Sequence, residues 1–537
     1  MLIPALLLAA GASAAAAFAA GASASAAAGP SLNFSNLFSD DAVLQRDKPV
    51  TIWGWALSAG AAPVTATWVD GAAYSSGAAD AAGLWRITFP AAPVRSSPFD
   101  LLFTGADGSN ATLARVLLGD VFLCAGQSNV GAVQVSAMWN VSDIVRDAAS
   151  MQAGLRLQQV SGNAQSAVPL TQFPTSAFVP WQPPLGAGGE NGTLLGFSAV
   201  CYILGSTLYA EHLARAVPVG LVHSSHGGTS IQAWASPAAA TSCGDNANSW
   251  NSSVLYNSNF YPLTVGPSAL AGIYYYQGEQ DTGIGSTETF WRASWYGCMI
   301  RVLVRDWRAA LRDATLPWVE QHLHAWLHTD DAGLATMRAA QLHALAEPRT
   351  ALSTAFDGGD PAAAMAGSPG GTVHSHAKFI PGRRAAAAFA GAFYNLSVPF
   401  RNPRYARATA LGVSNATHTA IQVAVELDPE TVTAAGLVLR GWEPNSNSSH
   451  CPTERAVNAS YCDWFAIQVN DAPVGSWHNA SVALSADGRG LVLAAAVPGR
   501  GLAAVATRNG WSDWPVVTVY SAEGLPLMPW LRPVSEA

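Results

Sequence analysis

Charged side chains are scarce in this chain of 537 residues, since only 12% are Asp, Glu, Lys or Arg. The 27 Lys and Arg residues and 35 Asp and Glu residues leave a net charge of −8, and the basic residues are scattered. A phosphate-binding face needs clustered basic residues, so nucleic acid is not an expected partner. Because 50% of the residues are hydrophobic, the chain can bury large cores, and its length predicts two or three domains.

Long apolar runs are also lacking, except at the N-terminus. Residues 1–29 form an Ala-rich leader with small-residue sites such as Ala12-Ser13-Ala14, which is typical of a cleaved secretory signal, although the usual basic start is missing. A signal anchor and an Ala-rich segment without a targeting role are the alternatives. No later run is long enough to span a bilayer, so we expect no membrane contact after signal removal.

Asn-x-Ser/Thr sequons are frequent and also favour secretion. The sequence has ten of them, at Asn33, Asn110, Asn140, Asn191, Asn251, Asn395, Asn415, Asn447, Asn458 and Asn479. The sequence therefore predicts a glycoprotein of the secretory pathway, either extracellular or in a lysosome-like compartment.

Cysteine is sparse, and the spacing of the six residues fits no zinc pattern. They are Cys124, Cys201, Cys243, Cys298, Cys451 and Cys462. Cys451 and Cys462 lie in a short loop-like segment and are predicted to form a disulfide in an oxidising compartment. Cys124 lies within an apolar strand pattern and is predicted to be a buried free thiol. Because no metal-ligand spacing occurs, neither a metal nor an organic cofactor is expected.

Strand and helix patterns divide the rest of the chain into three parts. Short strand patterns separated by Gly, Asp and Ala clusters predict an N-terminal β domain over residues 31–112. Over residues 113–400, apolar strand patterns alternate with longer helical ones, which predicts an α/β domain with a parallel sheet and helices on both faces. Strand patterns return over residues 401–537 and predict a C-terminal β domain.

The segment GDVFLCAGQSNV, residues 119–130, places Ser128 just past an apolar strand and beside a glycine. An exposed nucleophilic hydroxyl is built at such a strand end, and it needs a histidine base within hydrogen-bond reach. Gly227, Gly228 and Gln277 also follow predicted strands. Ligands bind at the carboxyl ends of parallel strands, so these residues are expected to converge with Ser128 on one crevice. The G-x-S-x-G motif of α/β-hydrolases is absent.

Four ordered sequence blocks carry a family resemblance. They are GQSN at 126–129, SSHGGTSIQAW at 224–234, YYQGEQD at 275–281, and DGGD followed by SPGGTVH at 357–374. Together they resemble the sialate O-acetylesterase family, which belongs to the SGNH-type hydrolases. The resemblance implies an SGNH-type α/β fold and a secreted serine carboxylesterase that removes O-acetyl groups from sialic acids through an acetyl-enzyme.

By the same resemblance, Ser128 is the nucleophile and His374 is the base. The run SPGGTVH is similar to the family's run before its catalytic histidine. Ser375 stands where the family usually has proline, so His376 stays an alternative base. SGNH enzymes commonly place an aspartate three residues before the histidine, and here that position is Gly371.

The acid that orients the base is therefore open. Asp357 or Asp360 can reach His374 from the preceding strand end, a backbone carbonyl can orient the imidazole instead, or DGGD is only a turn with capping carboxylates.

Stabilisation of the tetrahedral oxyanion needs preorganised hydrogen-bond donors. The expected donors are the backbone N–H of Ser128, the N–H of Gly227 or Gly228, and the side-chain amide of Gln277. Glu279 is expected to be a hydrogen-bonding residue behind the site rather than an acid catalyst.

Two further functions stay open at this point. One is an acetylesterase that acts on another acetylated polysaccharide such as xylan, because the same machinery serves any acetyl sugar. The other is a catalytically weak secreted carbohydrate-binding protein. Trp139 and Trp234 are candidates for presenting a flat face to a sugar ring. The sequence does not indicate an oligomeric state.

Overall fold

A computed structural model describes most of the chain. The described ranges are 32–56, 63–161, 165–186, 192–244, 252–282, 289–326, 333–360, 371–411, 419–440, 465–471, 475–497, 501–515 and 517–535. The leader, Cys451, Cys462 and the sequon residues Asn191, Asn251, Asn415, Asn447 and Asn458 lie outside these ranges, so the predictions for them stay predictions. Within the described ranges, no helix is long and apolar enough to cross a membrane.

Strands dominate both ends of the chain, and helices are concentrated in its middle. The described strands are β1 Leu32–Phe34, β2 Val43–Gln45, β3 Val50–Ala56, β4 Val64–Thr67, β5 Ala73–Ser75, β6 Leu84–Phe89, β7 Arg95–Gly105, β8 Asn110–Gly126, β9 Leu155–Ser161, β10 Phe178–Gln182, β11 Val219–Ser225, β12 Gly272–Tyr276, β13 Trp318–Gln321, β14 Thr350–Ser353, β15 Tyr405–Ala410, β16 Thr419–Leu427, β17 Leu437–Leu439, β18 Phe465–Val469, β19 Trp477–Asn479, β20 Ser481–Leu484, β21 Leu491–Val497, β22 Ala504–Asn509, β23 Val519–Ser521 and β24 Trp530–Pro533. The described α-helices are α1 Ser128–Gly131, α2 Val141–Ala148, α3 Gly192–Gly196, α4 Ala199–Thr207, α5 Pro237–Ala240, α6 Thr289–Ala310, α7 Gly333–Gln341 and α8 Phe379–Phe393.

A parallel sheet forms the middle of the molecule, which confirms the α/β class. Among the described strands, β9, β11, β8, β12, β13 and β14 lie side by side in that order and run parallel, and β10 pairs antiparallel with β9. Every residue of β11 and β12 is buried, as expected for strands covered on both faces. β8 precedes the other parallel strands in sequence but lies at the centre of the sheet. The later strands are added first on one side of β8 and then on the other, and ligands bind at this switch point in such sheets.

β8 also joins the N-terminal strands to this sheet. Its first half pairs with β7 and β2, and its second half pairs with β11 and β12. The expected domain boundary at 112/113 therefore falls inside one strand. The N-terminal strands share a single hydrophobic core with the sheet, because both apolar runs of β8, Val116 to Leu118 and Val121 to Ala125, belong to the same cluster.

The C-terminal strands form a second core. Among the described residues, β15, β16, β21 and β20 make one antiparallel sheet, β19, β18, β22 and β24 make another, and β17 pairs with β23. Their inward side chains form a separate hydrophobic cluster. A small third cluster of Phe356, Val517, Tyr520 and Met528 connects the C-terminal strands to the end of the parallel sheet.

The prediction of a free thiol at Cys124 is wrong. Cys124 forms a disulfide with Cys201 of α4, and Cys243 forms one with Cys298 of α6. The Cα atoms of the first pair are 5.9 Å apart across 77 residues of sequence. The strand pattern correctly predicted that Cys124 is buried, but it could not indicate which helix packs against the strand there.

Candidate active site

Ser128 lies at the turn between the central strand β8 and helix α1. Gly126, at the end of β8, has φ +141°, and a Cβ there would lie 2.0 Å from the Tyr276 carbonyl oxygen, so only glycine fits. The backbone N–H of Gln127 donates to that same carbonyl at 3.0 Å. Ser128 is partly exposed and is the first residue of α1, so the helix itself supplies no acceptor for its N–H. The turn thus presents both a hydroxyl and an amide at the sheet edge.

The glycine turn after β11 lies against this serine. A Cβ on Gly227 would be 3.3 Å from the Ser128 Cβ, and the N–H of His226 donates to the Gly126 carbonyl at 3.0 Å. Gly228 has φ +68°, a left-handed conformation that favours glycine. The structure therefore brings the predicted glycine pair and Ser128 together, as the order of the strands requires.

Gln277 lies beside this group but does not present its amide to it. The side chain is fully buried, and its Nε2 donates to the Thr229 carbonyl at 2.9 Å and to Asp281 Oδ2 at 2.6 Å. Both amide hydrogens are thereby occupied, so the expected role of Gln277 as an oxyanion donor is corrected. Its contact with Thr229 instead fixes the turn that carries Gly227 and Gly228.

Asn129 connects the serine turn to the histidine loop. Its Nδ2 donates to the Val373 carbonyl at 3.0 Å and to Glu279 Oε1 at 2.5 Å, while Lys378 Nζ donates to its Oδ1 at 2.5 Å. Asn129 directly follows Ser128, and Val373 directly precedes His374. These contacts therefore hold the histidine loop close to the serine turn. The sequence reading missed Asn129 and Lys378. Lys378 stands in the polar run HSHAK, so nothing in the local sequence indicated that this lysine would be buried.

Burial shifts the pKa values of Glu279, Lys378 and His374. It raises the pKa of Glu279 to about 7, against the hydrogen bond from Asn129 and the charge of Lys378. It lowers the pKa of Lys378 to about 7, against the attraction of Glu279 and Asp360. Burial also lowers the pKa of His374 to about 4, and the positive charges of Lys378 and His376 act in the same direction. His374 is therefore neutral at physiological pH and able to accept a proton.

The two candidate acids have different partners. Asp360 is fully buried, and its Oδ2 accepts the backbone N–H of His376 at 2.9 Å and the ring Nδ1–H at 3.2 Å. Asp357 binds Arg384 through both oxygens, at 2.6 and 2.8 Å, so it is corrected from a candidate acid to half of an ion pair. Asp360, the second aspartate of the DGGD block, thus contacts both the backbone and the ring of the alternative histidine, His376.

The two tryptophans predicted to contact a sugar ring differ in their exposure to solvent. Trp139 is 52% exposed, and its ring centroid is 6.3 Å from that of His376, so it borders the site with a free face. Trp234 has no exposed surface and packs near Trp307, which excludes it as a platform for a sugar.

The depressed pKa of His374 predicts an unusual acid limb. A general base must be unprotonated, and protonation of His374 is disfavoured until the pH falls to about 4. We expect kcat/KM for a chromogenic acetyl ester to hold its plateau down to about pH 5 and then to fall, measured with enzyme shown to recover after acid incubation. Glu279 and Lys378 also have pKa values of about 7, so an inflection near the ordinary histidine value of about 6.5 contradicts this assignment if it persists in Glu279→Gln.

A serine after the central strand of a parallel sheet, a glycine turn against it and a histidine loop tied to its neighbour define an arrangement of the serine-hydrolase class. Residues 118–362 match the family described as "Carbohydrate esterase, sialic acid-specific acetylesterase". That part of the chain, which holds Ser128, Gly227 and Asp360, is therefore similar to this family of carbohydrate esterases. Among the described residues, no group of His, Cys, Asp and Glu is arranged to hold a metal ion.

Two curated relatives and one solved structure illustrate the similarity. The sialate O-acetylesterase of Mus musculus is 29% identical over 326 residues, covering 52% of this chain and 57% of the relative, and that of Homo sapiens is 29% identical over 300 residues, covering 52% and 54%. The chain thus matches a little over half the length of these relatives. A carbohydrate acetylesterase from Xanthomonas citri superposes with a TM-score of 0.73 at 25% identity, covering 93% of this chain and 99% of that one.

Proposed function

We propose that this protein is a secreted serine carboxylesterase that removes O-acetyl groups from sialic acids. The observation that carries the proposal is the Ser128 turn, with Gly227 against the serine and the His374 loop hydrogen-bonded to Asn129. The match of residues 118–362 to a carbohydrate esterase family and the sialate O-acetylesterase relatives support the choice of substrate.

The chemistry follows from the groups that meet at the sheet edge. His374 takes the proton of the Ser128 hydroxyl as its oxygen attacks the acetyl carbonyl carbon. The oxyanion accepts hydrogen bonds from the N–H of Ser128 and from the Gly227–Gly228 turn. When the intermediate collapses, the bond between the acyl carbon and the sugar oxygen breaks, and His374 gives its proton to that departing oxygen, which leaves as a hydroxyl. His374 then takes a proton from water as the water oxygen attacks the acetyl carbon, and it returns that proton to the Ser128 oxygen as the acyl C–O bond breaks and acetic acid leaves, which ionises to acetate.

The finer fold assignment belongs to the same proposal. We infer an SGNH-type sheet over residues 113–400, with β domains over 31–112 and 401–537. The central position of the nucleophile strand and the separate C-terminal core support it. Since the N-terminal strands share the core of the sheet, the first β domain is expected to unfold together with the sheet rather than alone.

Secretion is likewise proposed, with an extracellular or lysosome-like destination. All five sequon asparagines within the described ranges are exposed, as glycosylation requires: Asn33, Asn110, Asn140, Asn395 and Asn479. The Cys124–Cys201 and Cys243–Cys298 disulfides suit an oxidising compartment.

A comparison of substrates tests the proposed function. Acetate release is measured from an O-acetylated sialic acid and from acetylated xylan, with the same enzyme and matched acetyl concentrations. We expect kcat/KM to be at least about tenfold higher for the sialic acid, a difference of about 1.4 kcal/mol in transition-state binding. A preference for xylan would reassign the substrate, and binding of either glycan without acetate release would identify a carbohydrate-binding protein instead.

A further inference from the structure

A short segment from the C-terminal part of the chain packs directly behind the DGGD loop. Trp514 is 1% exposed, and its ring atom Cζ2 is 2.5 Å from the position that a Cβ on Gly359 would take. Gly359 immediately precedes Asp360, the carboxylate that binds His376. The indole thus occupies the space that glycine leaves, and it forms the wall against which the loop rests.

A buried arginine ties the same segment to the sheet edge. Arg338 of α7 donates to the carbonyls of Ser512 and Asp513 at 2.9 and 3.0 Å, and to those of Leu323 and His324 at 2.9 Å each. A guanidinium supplies five donors in a fixed plane, so one side chain holds both pieces of chain in a set position. The Asp513 carboxylate in turn accepts the N–H of a residue at the start of α7, Leu334, at 2.9 Å.

The connection continues from His324 to the rest of the site. Its Nδ1 lies 2.7 Å from the Tyr276 hydroxyl, and its Nε2 lies 3.4 Å from the Thr372 carbonyl. Thr372 is two residues before His374, and the Tyr276 carbonyl binds the Gln127 N–H beside Ser128. Arg338 and His324 therefore link the C-terminal segment to the two loops that must meet for catalysis.

We propose that the segment Ser512–Trp514 is an integral support of the active site, with Trp514 and Arg338 acting as positioning residues for the loops of Asp360 and His374. The inference rests on the proposed esterase function. The segment lies outside residues 118–362, the part of the chain that matches the esterase family. The C-terminal strands thus do more than extend the molecule, because without them the wall behind Asp360 is missing.

Two buried tryptophans of the C-terminal part provide a matched test. Trp514→Ala removes the wall, whereas Trp530→Ala opens a comparable cavity in the separate C-terminal core. Both variants lose stability, but only the first moves the catalytic loops. With a chromogenic acetyl ester, at a temperature where circular dichroism shows both folded, we expect kcat to fall about 100-fold in Trp514→Ala, with KM changed less than about threefold. Trp530→Ala keeps the wild-type kcat.

Trp514→Phe restores most of the filled volume and is expected to recover kcat to within about fivefold of the wild type. If Trp514→Ala does not fold, the comparison is made between Trp514→Leu and Trp530→Leu. Normal kcat in the Trp514 variant, or equal losses in both tryptophan variants, would overturn the proposal. A wild-type protein that releases no acetate would instead refute the proposed function, so the two failures are distinguishable.

Discussion

Replacing Ser128 by alanine is expected to lower kcat for a chromogenic acetyl ester by about 10⁴-fold or more. Without the hydroxyl there is no acetyl-enzyme, and the glycine turn alone can only polarise the carbonyl of a bound ester. The corresponding loss of transition-state stabilisation is about 5 kcal/mol or more. The variant should keep its fold and melting temperature, because Ser128 is partly exposed and its backbone position in α1 tolerates alanine.

A second serine–histidine pair makes the control for this experiment. Ser225 Oγ lies 2.8 Å from His223 Nε2, but both side chains are buried behind α1, close to Gly131. We expect Ser225→Ala to keep kcat within about threefold of the wild type, since no ester can reach it. If Ser128→Ala stayed active and Ser225→Ala did not, the nucleophile would have to be reassigned.

His374→Ala is expected to have the second largest effect, a loss of about 10³-fold or more in kcat. The hydrogen bond from Asn129 to the Val373 carbonyl fixes this histidine next to the Ser128 turn. His376 is held at its backbone and its ring by Asp360, which suits a residue that clamps the loop. We therefore expect His376→Ala to lose only about 10- to 100-fold, measured side by side on the same ester.

The opposite ranking would also be informative. If His376→Ala were the inactive variant and Asp360→Asn lost activity in parallel, His376 would be the base and Asp360 the acid that orients it. His374→Ala would then be close to wild type. This result would replace the assignment by family resemblance with the Asp–His contact that the structure contains.

Local patterns in the sequence predicted the scaffold of the site well. The apolar runs that end before Ser128, Gly227 and Gln277 form parallel strands in adjacent positions, so the three blocks meet at one edge. The prediction of these strands was correct because a strand buried on both faces has a continuous run of apolar residues. The carboxyl ends of parallel strands lie at the same edge of the sheet. Strands β9 and β10 were not predicted: β9 (LRLQQVS) mixes polar and apolar residues, and β10 (FVPWQ) contains a proline.

The sequence did not reveal which residues far apart in the chain contact each other. The amide of Gln277 is bound by the carbonyl of Thr229, 48 residues away, and Cys124 pairs with a cysteine 77 residues away. Gly359 and Trp514 lie against each other although they come from the α/β part and the C-terminal part of the chain. Periodicity assigns a residue to a face, but the identity of the atom it meets depends on how whole elements pack.

Covalent labelling of the native protein tests the central claim most directly. An organic fluorophosphonate reacts with a serine only where a base and an oxyanion site activate it. We expect loss of esterase activity in proportion to the incorporation of one phosphonyl group, and peptide mass spectrometry should place that group on Ser128. Complete inactivation with the adduct on another residue, such as Ser225, or full labelling of Ser128 with activity retained, would contradict the account.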